Sequence, residues 1–319
     1  MLVSIVIPCY NSEHTIGKVV ELTTEEFRRM PEYECEFILV NDYSHDGTYE
    51  EIKRLAEKYP NVTGVNLAKN FGQHAAIMAG LQYVRGGMII GMDDDLQTHP
   101  TQIPKLLAAA DQGYDVVFGH FRKKAAGPWK IFLSNVGDFF LDHMVDMPKG
   151  VHMNNFWAAR RYVIDQVREY KGCDAFIQLL FFRTTHNMTN VEIEHFKREE
   201  GKSNYTFRKG LRHFLTVIDY SIVPLRISSV LGVLFSLIGL ISAIAVIVNK
   251  LVRPDVAIGW SSLMCVMLIL FGFMFLILGI IGEYVGKSVL TMNETPLYVV
   301  RETTEKNRSE KERSPEIQK

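Results

Sequence analysis

The chain has 319 residues, of which 47% are hydrophobic, and its formal net charge at pH 7 is −1. This length predicts one or two domains, and a charge so close to zero excludes the basic surface field of a typical nucleic-acid-binding protein. The four cysteines are widely spaced and form no C-x-x-C pair, which indicates neither a zinc site nor a disulfide framework.

Strand-like and helix-like patterns alternate over residues 1–120. Apolar, β-branched runs predict strands at residues 3–8, 36–41, 62–67, 88–92 and 116–119. Helical periodicity predicts helices at residues 12–27, 47–59 (with Asp46 as N-cap) and 73–84, and one more that starts between Pro100 and Pro104. This alternation predicts a parallel α/β sheet.

Polar clusters follow four of the predicted strands, at the point where each strand ends. In chain order they read CYNSE, NDYSHDGT, AKNFGQH and DDDLQT. Ligands bind outside the carboxyl ends of the strands in such sheets, so we expect the four clusters to share one edge and to form a binding site. The sequence has neither G-x-G-x-x-G after its first strand nor G-K-[ST], so it lacks the motifs of a Rossmann dinucleotide site and of a P-loop.

The fourth cluster places three acids directly after an apolar run. If the chain stays extended there, Asp93, Asp95 and Gln97 point to one side and Asp94 to the other. Carboxylate oxygens suit Mg²⁺ or Mn²⁺, and Mg²⁺ commonly combines one or two carboxylates with substrate phosphates. The acid pair therefore indicates a site for a diphosphate; a solvated acidic turn ahead of the next helix is the alternative.

Two long uncharged stretches follow Arg226, at residues 227–249 and 256–282. Each exceeds the roughly 20 apolar residues that cross a bilayer. We expect two transmembrane helices, at about 227–249 and 257–282, that form a hairpin; two very hydrophobic core helices are the alternative. The N-terminal stretch MLVSIVIPCYNSE shows no signal peptide. Basic residues that flank the pair of spans place both termini in the cytosol.

The expected domains follow from these patterns. Residues 1–225 form a cytosolic domain, residues 226–286 the hairpin, and residues 287–319 a charged cytosolic tail that is disordered after about residue 302. Two amphipathic segments lie in the first domain, at about 128–147 and 206–224. Their apolar faces fit ordinary core packing or docking at a membrane interface, and we favour docking.

The chain resembles the family 2 glycosyltransferases, and more narrowly the polyprenyl-phosphate glycosyltransferases, which include bactoprenol glucosyl transferases and dolichyl-phosphate mannose synthase. The matching pieces occur in the family's order: VSIVIPCYNSE, ILVNDYSHDGT, KNFGQHAA, DDDLQTHP, REEGKSNYTF and LGIIGEYVGKSVL. The resemblance implies an α/β, GT-A type nucleotide-sugar domain with a parallel-rich sheet, amphipathic juxtamembrane helices and a C-terminal transmembrane hairpin. It also implies a location in the inner, cytoplasmic membrane.

The same resemblance implies an activity. The chain would transfer a sugar, with inversion and with the help of Mg²⁺ or Mn²⁺, from a nucleotide diphosphate sugar to undecaprenyl phosphate or another polyprenyl phosphate. A UDP-sugar is the favoured donor, and the product would serve cell-envelope glycosylation. The implied partners are donor, lipid acceptor, membrane lipids and further copies of the chain, as in a tetramer; no nucleic acid is expected.

The resemblance also assigns roles to residues. The metal and catalytic group comprises Asp93, Asp95 and Gln97, joined in catalysis by Arg198 of a late loop. Contacts to the nucleotide sugar are assigned to Pro8, Tyr10, Asn11, Glu13, Asp42, Asp46, Asn70, Gln73 and Asp94. Contacts to the lipid phosphate are assigned to Arg122, Lys130, Ser134 and Ser203.

The chain departs from the family pattern at two positions that bear on function. Tyr43 replaces a turn glycine, and Asn155 stands near the place of a carboxylate that could act as a base or position the acceptor. These departures leave room for a different class of function, a catalytically impaired membrane scaffold that partners a flippase or transferase. A processive polysaccharide synthase is less favoured, because the sequence lacks the Q-x-x-R-W motif.

Overall fold

The computed structural model describes residues 1–121, 150–194 and 259–305, together with residues 148 and 196 and scattered positions between 228 and 252. The chain divides into two compact units. The first comprises Met1–Asn204 and Thr295–Lys319, and the second comprises Tyr205–Glu294.

The first unit is built on a sheet that has eight strands within the described residues. In chain order they are β1 (Leu2–Cys9), β2 (Glu34–Asn41), β3 (Val62–Leu67), β4 (Met88–Gly91), β5 (Val116–Phe121), β6 (Trp157–Arg160), β7 (Met188–Ile193) and β8 (Val300–Thr303). Across the sheet the order is β7-β5-β6-β4-β1-β2-β3-β8. The first four strands in the chain are therefore consecutive across the sheet, in the order β4-β1-β2-β3.

The sheet is mixed but mostly parallel. Strand β1 pairs in parallel with β2 and β4, β2 with β3, and β5 with β7. Strand β6 is antiparallel to both of its neighbours, β4 and β5, and β8 is antiparallel to β3. The prediction of a parallel-rich α/β sheet is confirmed, while β6, β7 and β8 were not predicted.

Helices connect the strands. They are α1 (Ile16–Arg28), α2 (Thr48–Lys58), α3 (Gln73–Gly80), α4 (Ile103–Asp111), α5 (Arg161–Arg168) and α6 (Ile177–Thr184), and a short 3₁₀ helix, Pro100–Gln102, precedes α4. Two predicted helix bounds in this unit differ from the structure by four residues, and the other helix and strand bounds by no more than two. Helix α1 begins after Ser12 because the Ser12 carbonyl closes a separate turn with Thr15 N at 3.1 Å, and α3 ends at Gly80 instead of residue 84.

Asp46 caps helix α2 from one residue before the N-cap position, instead of from the N-cap position itself as predicted. Gly47, not Asp46, precedes α2. The Asp46 carboxylate nevertheless accepts hydrogen bonds from Thr48 N at 3.1 Å and Thr48 Oγ1 at 2.6 Å. It thus satisfies one of the unpaired N–H groups at the start of the helix, which is the physical purpose of a cap.

The two faces of β1 are covered by different helices. Ile5 and Ile7 belong to one buried cluster with Ile16 of α1 and Leu106 of α4. Helix α3 covers the other face, where a Cβ on Gly80 would lie 2.7 Å from Val6 Cγ1. Because both faces are buried, β1 reads as a continuous apolar run without alternation, which explains why it could be predicted.

The edge strand β8 brings the C-terminal part of the chain back to the sheet. Glu302 Oε1 accepts a hydrogen bond from Asn66 Nδ2 at 3.0 Å, and Asn66 Oδ1 accepts one from Asn41 Nδ2 at 2.8 Å. Beyond the strand, Thr304 Oγ1 accepts from Gly64 N at 2.9 Å. We expected disorder after about residue 302; the structure places residues up to Thr304 in sheet contacts, and residues 306–319 lie outside the described residues.

The second unit contains α7, which runs without interruption over Trp260–Met292. Its segment Leu270–Met292 has 23 residues and a mean hydropathy of 1.7, and it is long and apolar enough to cross a membrane. It is the one such helix among the described residues. Most of the first predicted span, and the whole of the amphipathic segments at 128–147 and 206–224, lie outside the described residues. The expected hairpin is therefore not established.

A buried carboxylate ties together the amino ends of the central strands. Glu36 is 3% exposed and accepts hydrogen bonds from Ser4 Oγ at 2.6 Å, Arg85 N at 2.7 Å and Arg85 Nε at 2.8 Å. These contacts join β1, β2 and the loop before β4 on the edge opposite to their carboxyl ends. A charge this deep is tolerated only with such partners.

We predict that Glu36→Gln lowers the free energy of unfolding by about 1–2 kcal/mol, because the new amide group would face the Arg85 donors. Thermal unfolding of the detergent-solubilised full chain would measure the change. Glu34→Gln, an exposed position on the same strand, is the matched control and should change little. Equal stability of the two variants would contradict a stabilising role for the cluster.

Candidate functional site

Four turns meet at the carboxyl edge of the central strands. We name them rim turn 1 (residues 10–15, after β1), rim turn 2 (42–47, after β2), rim turn 3 (68–72, after β3) and rim turn 4 (92–99, after β4). They contain the four polar clusters of the sequence. The parallel pairing of β1 with β2 and β4, and of β2 with β3, places all four at one edge, so the prediction that they lie together is confirmed.

Side chains of rim turns 1 and 2 hold the two turns together. Asn11 Oδ1 accepts a hydrogen bond from His45 N at 3.1 Å. Glu13 Oε2 accepts from Gly47 N at 2.6 Å, and Glu13 N donates to Asp46 Oδ2 at 3.3 Å. Asn11, Glu13 and Asp46, which we predicted to bind the nucleotide, are thus engaged within the rim and shape it.

Asp42 joins rim turns 2 and 3. Its carboxylate oxygens accept hydrogen bonds from Phe71 N at 2.7 Å and Gly72 N at 2.9 Å, and Asn70 Nδ2 donates to the Asp42 carbonyl at 3.2 Å. Burial raises the pKa of Asp42, and the two backbone N–H groups act in the opposite direction. The carboxylate is therefore a fixed acceptor that sets the position of rim turn 3.

Rim turn 4 does not continue as a strand. Leu96 takes a left-handed conformation, with φ 58°, so the chain reverses just after the three aspartates. As a consequence Asp93, Asp94 and Asp95 all line the same cavity. The expectation that Asp94 points away from its neighbours is wrong, because it assumed an extended chain.

Each aspartate of rim turn 4 has its own hydrogen-bond donor. Gln73 Nε2 donates to Asp93 Oδ1 at 2.6 Å, and Tyr10 N donates to Asp94 Oδ2 at 3.1 Å. Asp95 Oδ1 accepts from the backbone N–H of Gln97 at 3.0 Å. All these donors are neutral, so they orient the carboxylates without cancelling their charge.

Each rim turn contains one residue with positive φ. These residues are Asn11 (φ 52°), Tyr43 (φ 57°), Gly72 (φ 91°) and Leu96 (φ 58°). The left-handed conformation lets each strand end in a sharp reversal; glycine adopts it freely, asparagine tolerates it, and it is unfavourable for bulkier side chains. The concentration of such residues at one edge marks it as a place where geometry is maintained at a cost in stability.

The rim turns enclose a cavity of about 340 Å³. It is lined by Pro8, Cys9, Tyr10, Asp42, Asn70, Gly72, Gln73, Asp93, Asp94 and Asp95. Eight of these are residues that the sequence assigned to the site, namely all except Cys9 and Gly72. Gln97 contributes its backbone N–H to Asp95 but is not among the lining residues. Arg122, Lys130, Ser134, Arg198 and Ser203 lie outside the described residues.

The cavity concentrates negative charge. Burial, followed by the charges of Asp95 and Asp94, raises the pKa of Asp93 to about 7. Burial is also the main cause that raises the pKa of Asp94 to about 6. In the described part of the chain no lysine, arginine or histidine lines the cavity. Asp93 and Asp94 therefore resist full ionisation near neutral pH unless a cation joins them.

Two amide side chains form a chain of hydrogen bonds to Asp93, of which the sequence singled out Asn155 but not Gln178. The side chain of Asn155 donates a hydrogen bond to Asp93, and Asn155 Oδ1 accepts one from Gln178 Nε2 at 3.0 Å. Gln178 is buried, and it is the one polar residue in the first six positions of α6, IQLLFF. That isolated amide in an apolar helix is the signal that could have identified it.

The donor set fits a hard divalent cation. Oxygen ligands from one or two carboxylates, completed by substrate phosphates, are what Mg²⁺ typically uses. Among the described residues no group of three or more His, Cys, Asp or Glu side chains converges on a common point.

Comparisons with known proteins identify the family of the chain. Residues 4–168 match the model of the family described as Glycosyl transferase family 2. The chain is 31% identical over 307 residues to the undecaprenyl-phosphate 4-deoxy-4-formamido-L-arabinose transferase of Proteus mirabilis, covering 94% of this chain and 93% of that protein. It is 32% identical to the protein of the same name from Aeromonas hydrophila, covering 98% of each.

One solved structure to which the chain is similar is that of glucosyl-3-phosphoglycerate synthase from Mycobacterium tuberculosis in complex with Mn²⁺ and UDP-glucose. The TM-score is 0.49 at 17% identity, covering 68% of this chain and 76% of that one. At this level the likeness carries no inference about ligands.

The family match includes all four rim turns and more than half of the chain, and the two relatives extend over nearly its full length. The chain is a glycosyltransferase and belongs to glycosyl transferase family 2.

Proposed function

We propose that the chain transfers a sugar from a nucleotide diphosphate sugar to a polyprenyl phosphate. The observation that carries the proposal is the cavity at the rim, where three aspartates stand beside the turns that follow β1, β2 and β3. The names of the relatives from Proteus mirabilis and Aeromonas hydrophila support undecaprenyl phosphate as the acceptor. The resemblance to bacterial two-span enzymes favours UDP as the nucleotide of the donor.

Asp93 and Asp95 would hold a Mg²⁺ or Mn²⁺ ion together with the diphosphate of the donor. The bound ion would neutralise the charge that develops on the leaving diphosphate. Gln73 keeps Asp93 in place with its 2.6 Å hydrogen bond, and the Tyr10 backbone does the same for Asp94. Asp42 and Asn70 hold rim turn 3 at the mouth of the cavity, where we place the nucleoside.

The acceptor would need no general base. A phosphomonoester has a second pKa of about 6, so its oxygen is already anionic at neutral pH. At the cavity, Asp42, Asp93, Asp94 and Asp95 each accept hydrogen bonds that fix their orientation. Asn155 cannot accept a proton as a carboxylate would. Direct attack on the anomeric carbon would invert its configuration.

Cations must then hold the lipid phosphate close to the anionic donor. We assign this role to Arg122, Lys130 and Arg198, with hydrogen bonds from Ser134 and Ser203. The apolar segment Leu270–Met292 supports attachment to the cytoplasmic membrane. We extend this to two spans with both termini in the cytosol, and to assembly as a homo-oligomer such as a tetramer.

The test is an assay of membranes that contain the full chain. Undecaprenyl phosphate, Mg²⁺ or Mn²⁺ and a panel of UDP- and GDP-sugars would be supplied, and lipid products identified by mass. A glycosyl-phospholipid formed with one donor supports the proposal. Binding of donors without any lipid product would contradict it and favour a scaffold function.

We predict that Asp95→Asn lowers transfer on the order of a hundredfold or more, because the ion loses a charged ligand. The fold should persist, since one source of repulsion for Asp93 is removed. Product formation and thermal unfolding would be measured in parallel. Asp165→Asn is the control, at a carboxylate that pairs with Arg161 and Arg168 on α5. Transfer at the wild-type rate by Asp95→Asn would contradict the metal assignment.

We predict that Asn155→Asp lowers the rate of transfer by about tenfold, because a fourth carboxylate would replace a donor to Asp93 and raise the repulsion in the cavity. Asn155→Ala, which removes the donor without adding charge, should lie between that variant and the wild type. Steady-state rates at saturating donor would give the order. A higher rate for Asn155→Asp than for wild type would show that this position serves a base.

A further inference from the structure

Tyr43 occupies a conformation that its side chain disfavours. Its φ is 57°, in the left-handed region, where a bulky residue meets steric hindrance that glycine avoids. Tyr43 stands where the family pattern has a turn glycine. The backbone therefore keeps the shape that suits glycine while the side chain is a tyrosine, and something must offset the strain.

The other three left-handed residues of the rim have an evident compensation. Gly72 has no Cβ. The Asn11 side chain accepts a hydrogen bond from His45 N at 3.1 Å, and the Leu96 side chain is buried with 2% of its surface exposed. In each case the fold itself accounts for the residue.

Tyr43 lacks such a compensation. Its side chain is 39% exposed, and its recorded ring contact is an edge-on one with His45, with 5.5 Å between the ring centroids. Burial therefore contributes little to its stability. A strained and exposed aromatic residue that does not serve the fold is a candidate for contact with a ligand.

The position of Tyr43 indicates which part of a ligand it would meet. Tyr43 is not itself a lining residue of the cavity, but it directly follows Asp42, which is one. Tyr10, on the neighbouring rim turn, also lines the cavity and is 47% exposed. In the described part of the first unit few large apolar side chains are this exposed, and two of them stand on adjacent rim turns. Three of the four cavity carboxylates stand on rim turn 4 and one, Asp42, on rim turn 2, whereas the exposed aromatic rings stand on rim turns 1 and 2. The side with the aromatic rings therefore suits a planar, uncharged group.

We propose that Tyr43 provides a stacking surface for the base of the donor nucleotide. This inference rests on the proposed function, since it requires a nucleoside diphosphate in the cavity. Stacking of a base on an aromatic ring stabilises binding without reading the identity of the base. Tyr43 would thus add affinity for the nucleoside and leave the choice of sugar to other residues.

The experiment compares binding of two probes, UDP and inorganic pyrophosphate, to the detergent-solubilised full chain in the presence of Mg²⁺. The variants are Tyr43→Gly, Tyr43→Asn and Tyr43→Phe. Glycine and asparagine tolerate the left-handed backbone but lack the ring, whereas phenylalanine keeps the ring. Tyr162→Phe and Tyr162→Ala, at an exposed tyrosine on α5 near the amino end of β4, are the controls.

We expect Tyr43→Gly and Tyr43→Asn to weaken UDP binding on the order of tenfold and to leave pyrophosphate binding unchanged. The same variants should raise the midpoint of thermal unfolding by about 2 °C, because the strain is relieved. Tyr43→Phe should bind UDP like the wild type. Weaker binding together with higher stability is a result that a purely structural role would not give.

Other outcomes overturn the inference in distinguishable ways. If the wild type binds UDP and the glycine variant binds it equally well, Tyr43 is not a stacking surface, and the proposed function stands. If affinity for UDP and for pyrophosphate falls together with the unfolding midpoint, Tyr43 serves the fold of rim turn 2. If the wild type binds neither probe, both this inference and the proposed function fail.

Discussion

Repulsion among three carboxylates at the end of β4 is the constraint on which the rest of the site depends. Asp93, Asp94 and Asp95 share a cavity in which burial raises the pKa of the first two. The neighbouring residues Gln73, Asn155 and Tyr10 (through its backbone N–H) donate uncharged hydrogen bonds to Asp93 and Asp94. Such donors fix the oxygens but leave the charge available, and a diphosphate carried by a divalent cation needs that charge.

The same reasoning explains why the rim is cross-linked by hydrogen bonds. A charged site is useful only if its carboxylates do not move apart, and turns are the most mobile parts of a sheet protein. The Asp42 carboxylate holds rim turn 3, and Asn11 and Glu13 hold rim turn 2. The family resemblance assigns these residues to ligand contacts, but in the structure they also hold the rim turns in fixed positions around the cavity.

The sequence was informative where burial is simple. Strands covered on both faces, such as β1 and β2, appear in the sequence as unbroken apolar runs. The polar clusters at the ends of these runs indicated where the site lies. Strands β6 and β8 have four residues each and pair antiparallel with distant parts of the chain, so no local pattern reveals them. The hydrogen bonds from Asn155 to Asp93 and from Gln178 to Asn155 depend on how α6 packs beside the segment before β6, which is likewise non-local. The prediction that Asp94 points away from Asp93 and Asp95 was wrong because it assumed an extended chain. The reversal occurs at Leu96, where the sequence has no glycine to indicate a turn.

The pairing of β8 with β3 has a consequence for the order of folding. A ribosome that has completed β3 must still synthesise more than two hundred residues, the apolar helix α7 included, before the strand that covers this edge emerges. Until then β3 presents an open edge that can pair with the wrong chain, and contacts over such long sequence separations form slowly. Synthesis of the apolar segment thus precedes completion of the sheet. A chain that stalls before residue 300 would contain every residue of the cavity and yet have an unprotected β3.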